Sequence, residues 1–182
     1  PEQGNCIQGD YSLLSMDREK GEVVFSFSAR VGRDGLEVGL TKKYLFKQKS
    51  VEVLYELKNL SRTPLSSCFG VECNLSFASP DREAVKAGLQ GTSEGGEKAI
   101  DLVSRTARRA AKLIMQDIYN EADLELSFSK ECELWSLPVE AVVRHGSGDE
   151  KKYQSSCFVP RWELSLKPQE TWSCGITLSF VS

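Results

Sequence analysis

Histidine is scarce in this chain: His145 is the single one among 182 residues. Histidine is the side chain whose ordinary pKa lies nearest neutrality, so little is left for general acid–base work. His145 sits in the polar string RHGSGDE and reads as a solvated loop residue, and a Ser-His-Asp hydrolase is not expected. Cysteine is sparse too, with six residues and no Cys-x-x-Cys pair, which excludes a disulfide-dense scaffold and gives no ligand set for structural zinc. No apolar run approaches the ~20 residues that cross a bilayer as a helix. The opening PEQGNCIQGDYSLL has neither a basic n-region nor an apolar h-region and reads as no signal peptide. The stretch from Gly91 to Gly96 lacks the Lys-Ser/Thr of a P-loop, and the GSG at 146–148 is not a dinucleotide fingerprint, so no cofactor is expected. A net charge of −3 gives no electrostatic reason to expect nucleic acid or an anionic membrane as partner.

What is present is ordinary globular material, 40% hydrophobic and 27% charged, at a length that suits one domain with a sizeable core over residues 1–182. Alternation with a period of two runs through most of it. Val23, Phe25, Phe27, Ala29 and Val31 alternate with Val24, Ser26, Ser28 and Arg30, and the turn formers Gly32, Asp34 and Gly35 follow. Leu36 to Phe46, Val51 to Leu57, Phe69 to Phe77, and Leu124 to Phe128 repeat the pattern, with a turn from Asn59 to Pro64. Near the end, Trp172, Cys174, Ile176, Leu178 and Phe180 share one face of a strand. Closely spaced strands of this kind predict an antiparallel all-β sandwich or barrel with at most one or two short helices. Cys73, Cys132, Cys157 and Cys174 lie within these runs as small buried hydrophobes, in a reducing and hence cytoplasmic setting.

Two segments depart from the pattern. Ser79 to Gly96 is polar and glycine-containing, and reads as a long loop with one helical turn over Arg82 to Ala87. In AIDLVSRTARRAAKLIM, Ile100, Val103, Ala107, Ala110 or Ala111, and Ile114 recur at three and four residues, as on an amphipathic helix. Helix and strand both stay open for Ala99 to Met115, with Leu113 to Gln116 read as extended.

Carboxylates in apolar runs are the remaining place to look for chemistry. Glu72 and Glu140 qualify, but an alternating strand puts such residues on its solvated face. For sugar recognition, Tyr153, Gln154, Trp162 and Trp135 are the right types, since rings pack on sugar C–H faces while planar polar groups meet hydroxyls. Trp162 and Trp172 fall in phase with core positions, whereas Tyr153 and Gln154 sit where a loop enters a strand.

The string LPVEAVVRHGSGDEKKYQSSCFVPRWELSL resembles the end of the C-terminal β-sandwich domain of glycoside hydrolase family 57 enzymes, of the α-amylase and 4-α-glucanotransferase type. Pro138, Val139, Glu140, Val142, Tyr153, Gln154, Pro160 and Trp162 match the family's pattern, while Ala141, Arg144, His145 and Ser155 depart from it. Glu72 and Asn74 take its Glu-x-Asn position and Asp117 the Asp that ends a strand, so the likeness spans Leu36 to Phe180.

The resemblance implies a large sandwich of the galactose-mutarotase-like kind and a connection leading into a strand around Lys112 to Gln116. It also implies a non-catalytic C-terminal module of a longer enzyme acting on α-1,4-glucans. The partner would be the N-terminal catalytic domain of the same chain, which carries the catalytic carboxylates in that family, with α-glucan as a second candidate partner. No catalytic residue carries over to this chain. Glu72, Asn74, Glu140, Arg144, His145, Tyr153 and Gln154 are then the candidates for carbohydrate or interdomain contact. Two rivals stand beside this expectation: a stand-alone aldose-epimerase-like enzyme using Glu72 or Glu140 with His145, and a pure carbohydrate-binding module.

Overall fold

The protein is described by a computed structural model covering residues 4–81, 83–91, 97–145 and 148–181, without the side chains of Glu97 and His145. The regular elements among these residues are all strands: β1 (Ser12–Asp17), β2 (Glu22–Val31), β3 (Leu36–Lys47), β4 (Ser50–Asn59), β5 (Leu65–Gly70), β6 (Cys73–Leu75), β7 (Val85–Gln90), β8 (Glu97–Ile100), β9 (Thr106–Asp117), β10 (Ala122–His145), β11 (Gly148–Leu166) and β12 (Thr171–Phe180). Each pairing whose register is resolved is antiparallel. The chain divides into two compact units, one of Pro1–Phe69 with Glu163–Ser179 and the other of Gly70–Trp162 with Phe180–Ser182.

In the first unit the strands run β1-β2-β3-β4-β12. Opposite residues share a face, so Phe27, Leu40, Leu57 and Trp172 form one row and Val23, Tyr44, Val53 and Ile176 another. Gly32 and Gly35, at φ of 74° and 61°, close the β2–β3 hairpin as their spacing predicts. Gly21 turns β1 into β2 at φ 63°, where a Cβ would sit 2.6 Å from the Phe46 carbonyl oxygen. Asn59, fully buried, ends β4. Its Nδ2 donates to the carbonyls of Thr63, Leu166 and Lys167, and its Oδ1 accepts from the Ser61 amide.

In the second unit β10 lies between β9 and β11, β7 and β8 continue beyond β9, and β6 adds to β11. The core includes Leu113, Met115, Leu126, Leu134 and Phe158, with Phe158 wholly buried. Burying a side chain of that size stabilises by about 1.5–3 kcal/mol. Trp162 is buried as its phase predicts, edge-on to Phe128 at 6.3 Å with its indole N–H on the Lys130 carbonyl.

One open choice closes and two expectations change. The segment from Ala99 to Met115 holds no helix: β8 and β9 occupy it, separated by a turn. Pairing decides this, because β9 bonds β7 on one side and β10 on the other, and alternation then buries Leu113, Met115 and Asp117. The helical turn over Arg82 to Ala87 is replaced by a single turn, in which the amides of Ala84 and Val85 both reach the Asp81 carbonyl, and then by β7; Arg82 itself lies outside the described residues. The run from Phe69 to Phe77 is two short strands, β5 and β6, broken at Val71 and Glu72.

Candidate functional site

The sequence candidates fall on β6, at Glu72 in the break before it, and on the distal half of the β10–β11 hairpin. Glu140 stands opposite Tyr153, and Arg144 opposite Asp149. Gln154 is the extra residue where the register shifts, since Val139 pairs Ser155 while Glu140 pairs Tyr153. Asn74 of β6 pairs Cys157, and the Ser76 hydroxyl donates to the Gln154 carbonyl at 2.7 Å. Asn74, Ser76 and Gln154 are exposed, and that bond joins Ser76 to the residue next to Tyr153. Arg144 is four residues along β10 from Glu140, about 13 Å at strand rise, so it does not join them. The side chain of His145 lies outside the described residues.

The chemistry of these groups is mostly occupied. Tyr153 shares a 2.9 Å hydrogen bond with Ser156, whose side chain is fully buried. Burial pushes its phenol above 10.0, against the opposing pull of that bond and of the Phe77 backbone. It therefore stays a neutral O–H at physiological pH. Glu140 takes the Lys151 ammonium at 3.1 Å in an exposed pair, and Gln154 Nε2 turns back to the carbonyls of Tyr153 and Lys152.

Glu72 is exposed beside Cys157, and its charge adds to burial in raising that thiol. Cys73 next to it is pushed up to about 11 by burial and then by Cys157. Both thiols are held protonated, which makes them poor nucleophiles and poor metal ligands. None of the six cysteines is in a disulfide, with Cys132, Cys157 and Cys174 buried and Cys73 half-buried. Among the described residues no group of three or more His, Cys, Asp and Glu side chains gathers at one point.

Among the described residues one carboxylate is buried, and it is structural. Asp117 receives the Asn120 amide at 3.0 Å and its side-chain Nδ2 at 2.7 Å, closing the turn from β9 into β10. The string GTSEG at 91–95 has the letters of a nucleophile elbow, which sequence reading passed over. It connects β7 to its hairpin partner β8, whereas an elbow needs a strand leading into a helix, and residues 92–96 lie outside those described.

A second cluster was missed from sequence. Glu133 stands opposite Arg161, whose guanidinium donates to Glu133 Oε2 at 3.0 Å and covers the Trp135 ring at 3.9 Å. The Trp135 indole donates to the same oxygen at 3.0 Å. Glu133 and Trp135 being two apart puts them on one face of a strand, the signal available in the sequence. Arg161 is supplied by pairing alone. Trp135 is 40% exposed, unlike the buried Trp162.

Comparison with known proteins sets these residues in context. A sequence model of the C-terminal domain of α-amylase and 4-α-glucanotransferase matches residues 1–176. The chain is 32% identical over 171 residues to α-amylase 1 of Dictyoglomus thermophilum, a match covering 92% of this chain and 23% of that protein. Its fold is similar to 4-α-glucanotransferase from Thermococcus litoralis, with TM-score 0.68 and 15% identity over 94% of this chain and 23% of the other. It is also similar to a protein described as an aldose 1-epimerase of Escherichia coli K12, with TM-score 0.66 and 9% identity over 94% of this chain and 68% of the other. The two likenesses to solved structures speak for an all-β, galactose-mutarotase-like fold alone. The family match goes further: this chain belongs to the C-terminal domain family of α-amylases and 4-α-glucanotransferases.

Proposed function

We propose that residues 1–182 act as one non-catalytic module of a longer α-1,4-glucan-processing enzyme, seated on its catalytic part and stabilising it. The observation that carries this reading is the family match over 1–176 in a chain that spans 23% of the length of its α-amylase relative. The site chemistry supports it. The buried carboxylate Asp117 is spent on a turn, Tyr153 is tied to Ser156, and Glu140 is tied to Lys151. The parent reaction is then cleavage or transfer of α-1,4-glucan by a pair of carboxylates elsewhere in the polypeptide. Glu72, Asn74, Glu140, Arg144, Tyr153 and Gln154 border the substrate or the catalytic part, and six cysteines outside any disulfide suit a cytoplasmic enzyme.

The test is deletion. The parent lacking this module should inactivate at a temperature several degrees lower on amylose. An unchanged inactivation temperature would remove the supporting role. Glucan release by the isolated chain would make it catalytic, and acceleration of glucose anomerisation would favour an epimerase.

A further inference from the structure

The face of the β1-β2-β3-β4-β12 sheet that carries Val38, Leu40, Tyr55, Leu57, Cys174 and Ile176 is buried at one end and bare at the other. Along β3 the residues of that face pass from Val38 and Leu40, each 2% exposed, through half-buried Lys42 and Tyr44, to Phe46 at 52%. β4 and β12 follow the same gradient, ending at half-buried Val51 and Leu178. On β1, Leu13 and Met16 share this face and are 53% and 54% exposed. Among the described residues the cover stops midway. The stretch from Gly4 to Tyr11 crosses Phe27 and Lys42, with Gly9 against the Phe27 ring, the Tyr11 ring 5.0 Å from it, and the Lys42 ammonium 4.0 Å over Tyr11.

Beyond that strap the residue types remain those of a core. Phe25 meets Tyr44 edge-on at 6.0 Å, and Tyr44 stacks on Phe46 at 6.2 Å. The opposite face carries ion pairs such as Glu22 with Lys43 at 2.7 Å and Lys47 with Glu52 at 3.5 Å. The same opposite face also holds half-buried Val24, Leu45 and Leu54, whereas a contiguous exposed apolar patch marks a surface that something else covers. The α-amylase relative extends far beyond the matched region, which is 23% of its length. A tethered neighbour needs little area, because the linker sets an effective concentration near the millimolar range.

We infer that the bare end of this face, lined by Leu13, Met16, Tyr44, Phe46, Val51 and Leu178, is where the catalytic part of the same polypeptide docks. The inference rests on the module reading above and adds the surface that performs it. The contact is apolar, with Phe46 and Met16 entering it from β3 and β1.

The experiment uses the intact parent enzyme. Peroxide oxidation followed by peptide mass spectrometry reads Met16, with fully buried Met115 as the internal reference. Met16 should oxidise at least fivefold more slowly in the native parent than in the denatured one. Phe46→Glu should lower the temperature at which glucan-cleaving activity is lost. Tyr119→Glu, at a 76% exposed position in the other unit, should leave it unchanged. Native Met16 oxidising as fast as the denatured residue overturns the docking surface. A parent that is dimeric by light scattering, with Phe46→Glu giving a monomer of unaltered heat inactivation, makes a second copy the occupant and also overturns it. Deletion of the whole module decides the broader reading separately, so the surface can fail while the module role stands.

Discussion

Asn59 Nδ2 donates to the Leu166 carbonyl at 3.1 Å, tying the end of β4 to the end of β11 across 107 positions of sequence. The same nitrogen serves Thr63 and Lys167 while Oδ1 takes the Ser61 amide, so this fully buried amide is satisfied on both sides. Asn59→Ala leaves buried carbonyls without a donor and should cost about 2–4 kcal/mol. Asn59→Asp should cost more, because a carboxylate would face those carbonyls. Urea unfolding measures both, and an Asp variant as stable as wild type would refute this account of the turn.

Tyr153→Phe removes the phenol from Ser156 and leaves a fully buried hydroxyl unpaired. A loss of about 1–2 kcal/mol is expected. Double substitution with Ser156→Ala should recover part of that loss, since both partners are then apolar. Additive losses would show that the bond contributes nothing.

Cys73 gives a pH dependence with a definite sign. In the unfolded chain the thiol ionises near 9.0, while in the folded state it holds its proton to about 11. Between those values the unfolded state binds fewer protons, so the stability present below pH 9 declines as pH rises toward 11. About two to three kcal/mol is at stake for a shift of that size. Comparing wild type with Cys73→Ala at pH 8 and 10.5 isolates the contribution. Parallel declines in the two proteins would count against it.

Ser136 and Thr106 stand opposite each other on β10 and β9, and each carries a buried hydroxyl oxygen without a hydrogen-bond partner. Ser136→Ala should therefore hold or raise stability, by up to about 1 kcal/mol. A loss above that figure in thermal unfolding would mean that the hydroxyl is satisfied in solution.

Arg161→Ala uncovers Trp135 and frees Glu133. The pair is half-exposed, so the expected cost is only about 1 kcal/mol and should shrink in high salt. Trp135 fluorescence should shift to the red. A spectrum unchanged from wild type would contradict the stacking.

How far the chain could be read depends on where its information lies. Alternation marked the strands because one face of each is buried, and Trp162 went to the core on phase alone. The segment from Ala99 to Met115 stayed open between helix and strand for the converse reason. Alanine and arginine favour a helix locally, but β7 and β10 offer β9 a hydrogen-bonding neighbour on each side, and neighbours are absent from local sequence. Of the candidate contacts, pairing sets Glu140 opposite Tyr153 and Asn74 opposite Cys157, while Arg144 lies apart along the strand; which residues face each other is decided by register and not by local sequence.

By itself the sequence determined the all-β antiparallel class, the hairpin turn at Gly32 to Gly35, and the family. These follow from side-chain period, from backbone freedom at glycine, and from motif order. Only the tertiary structure decided that Asn59 would reach Leu166, that Arg161 would cover Trp135, and that one sheet face would be buried at Leu40 yet bare at Phe46. Each of these is set by register and by what lies across the sheet. Two residues a hundred positions apart become neighbours only when the backbone hydrogen bonds between their strands have chosen one alignment out of many.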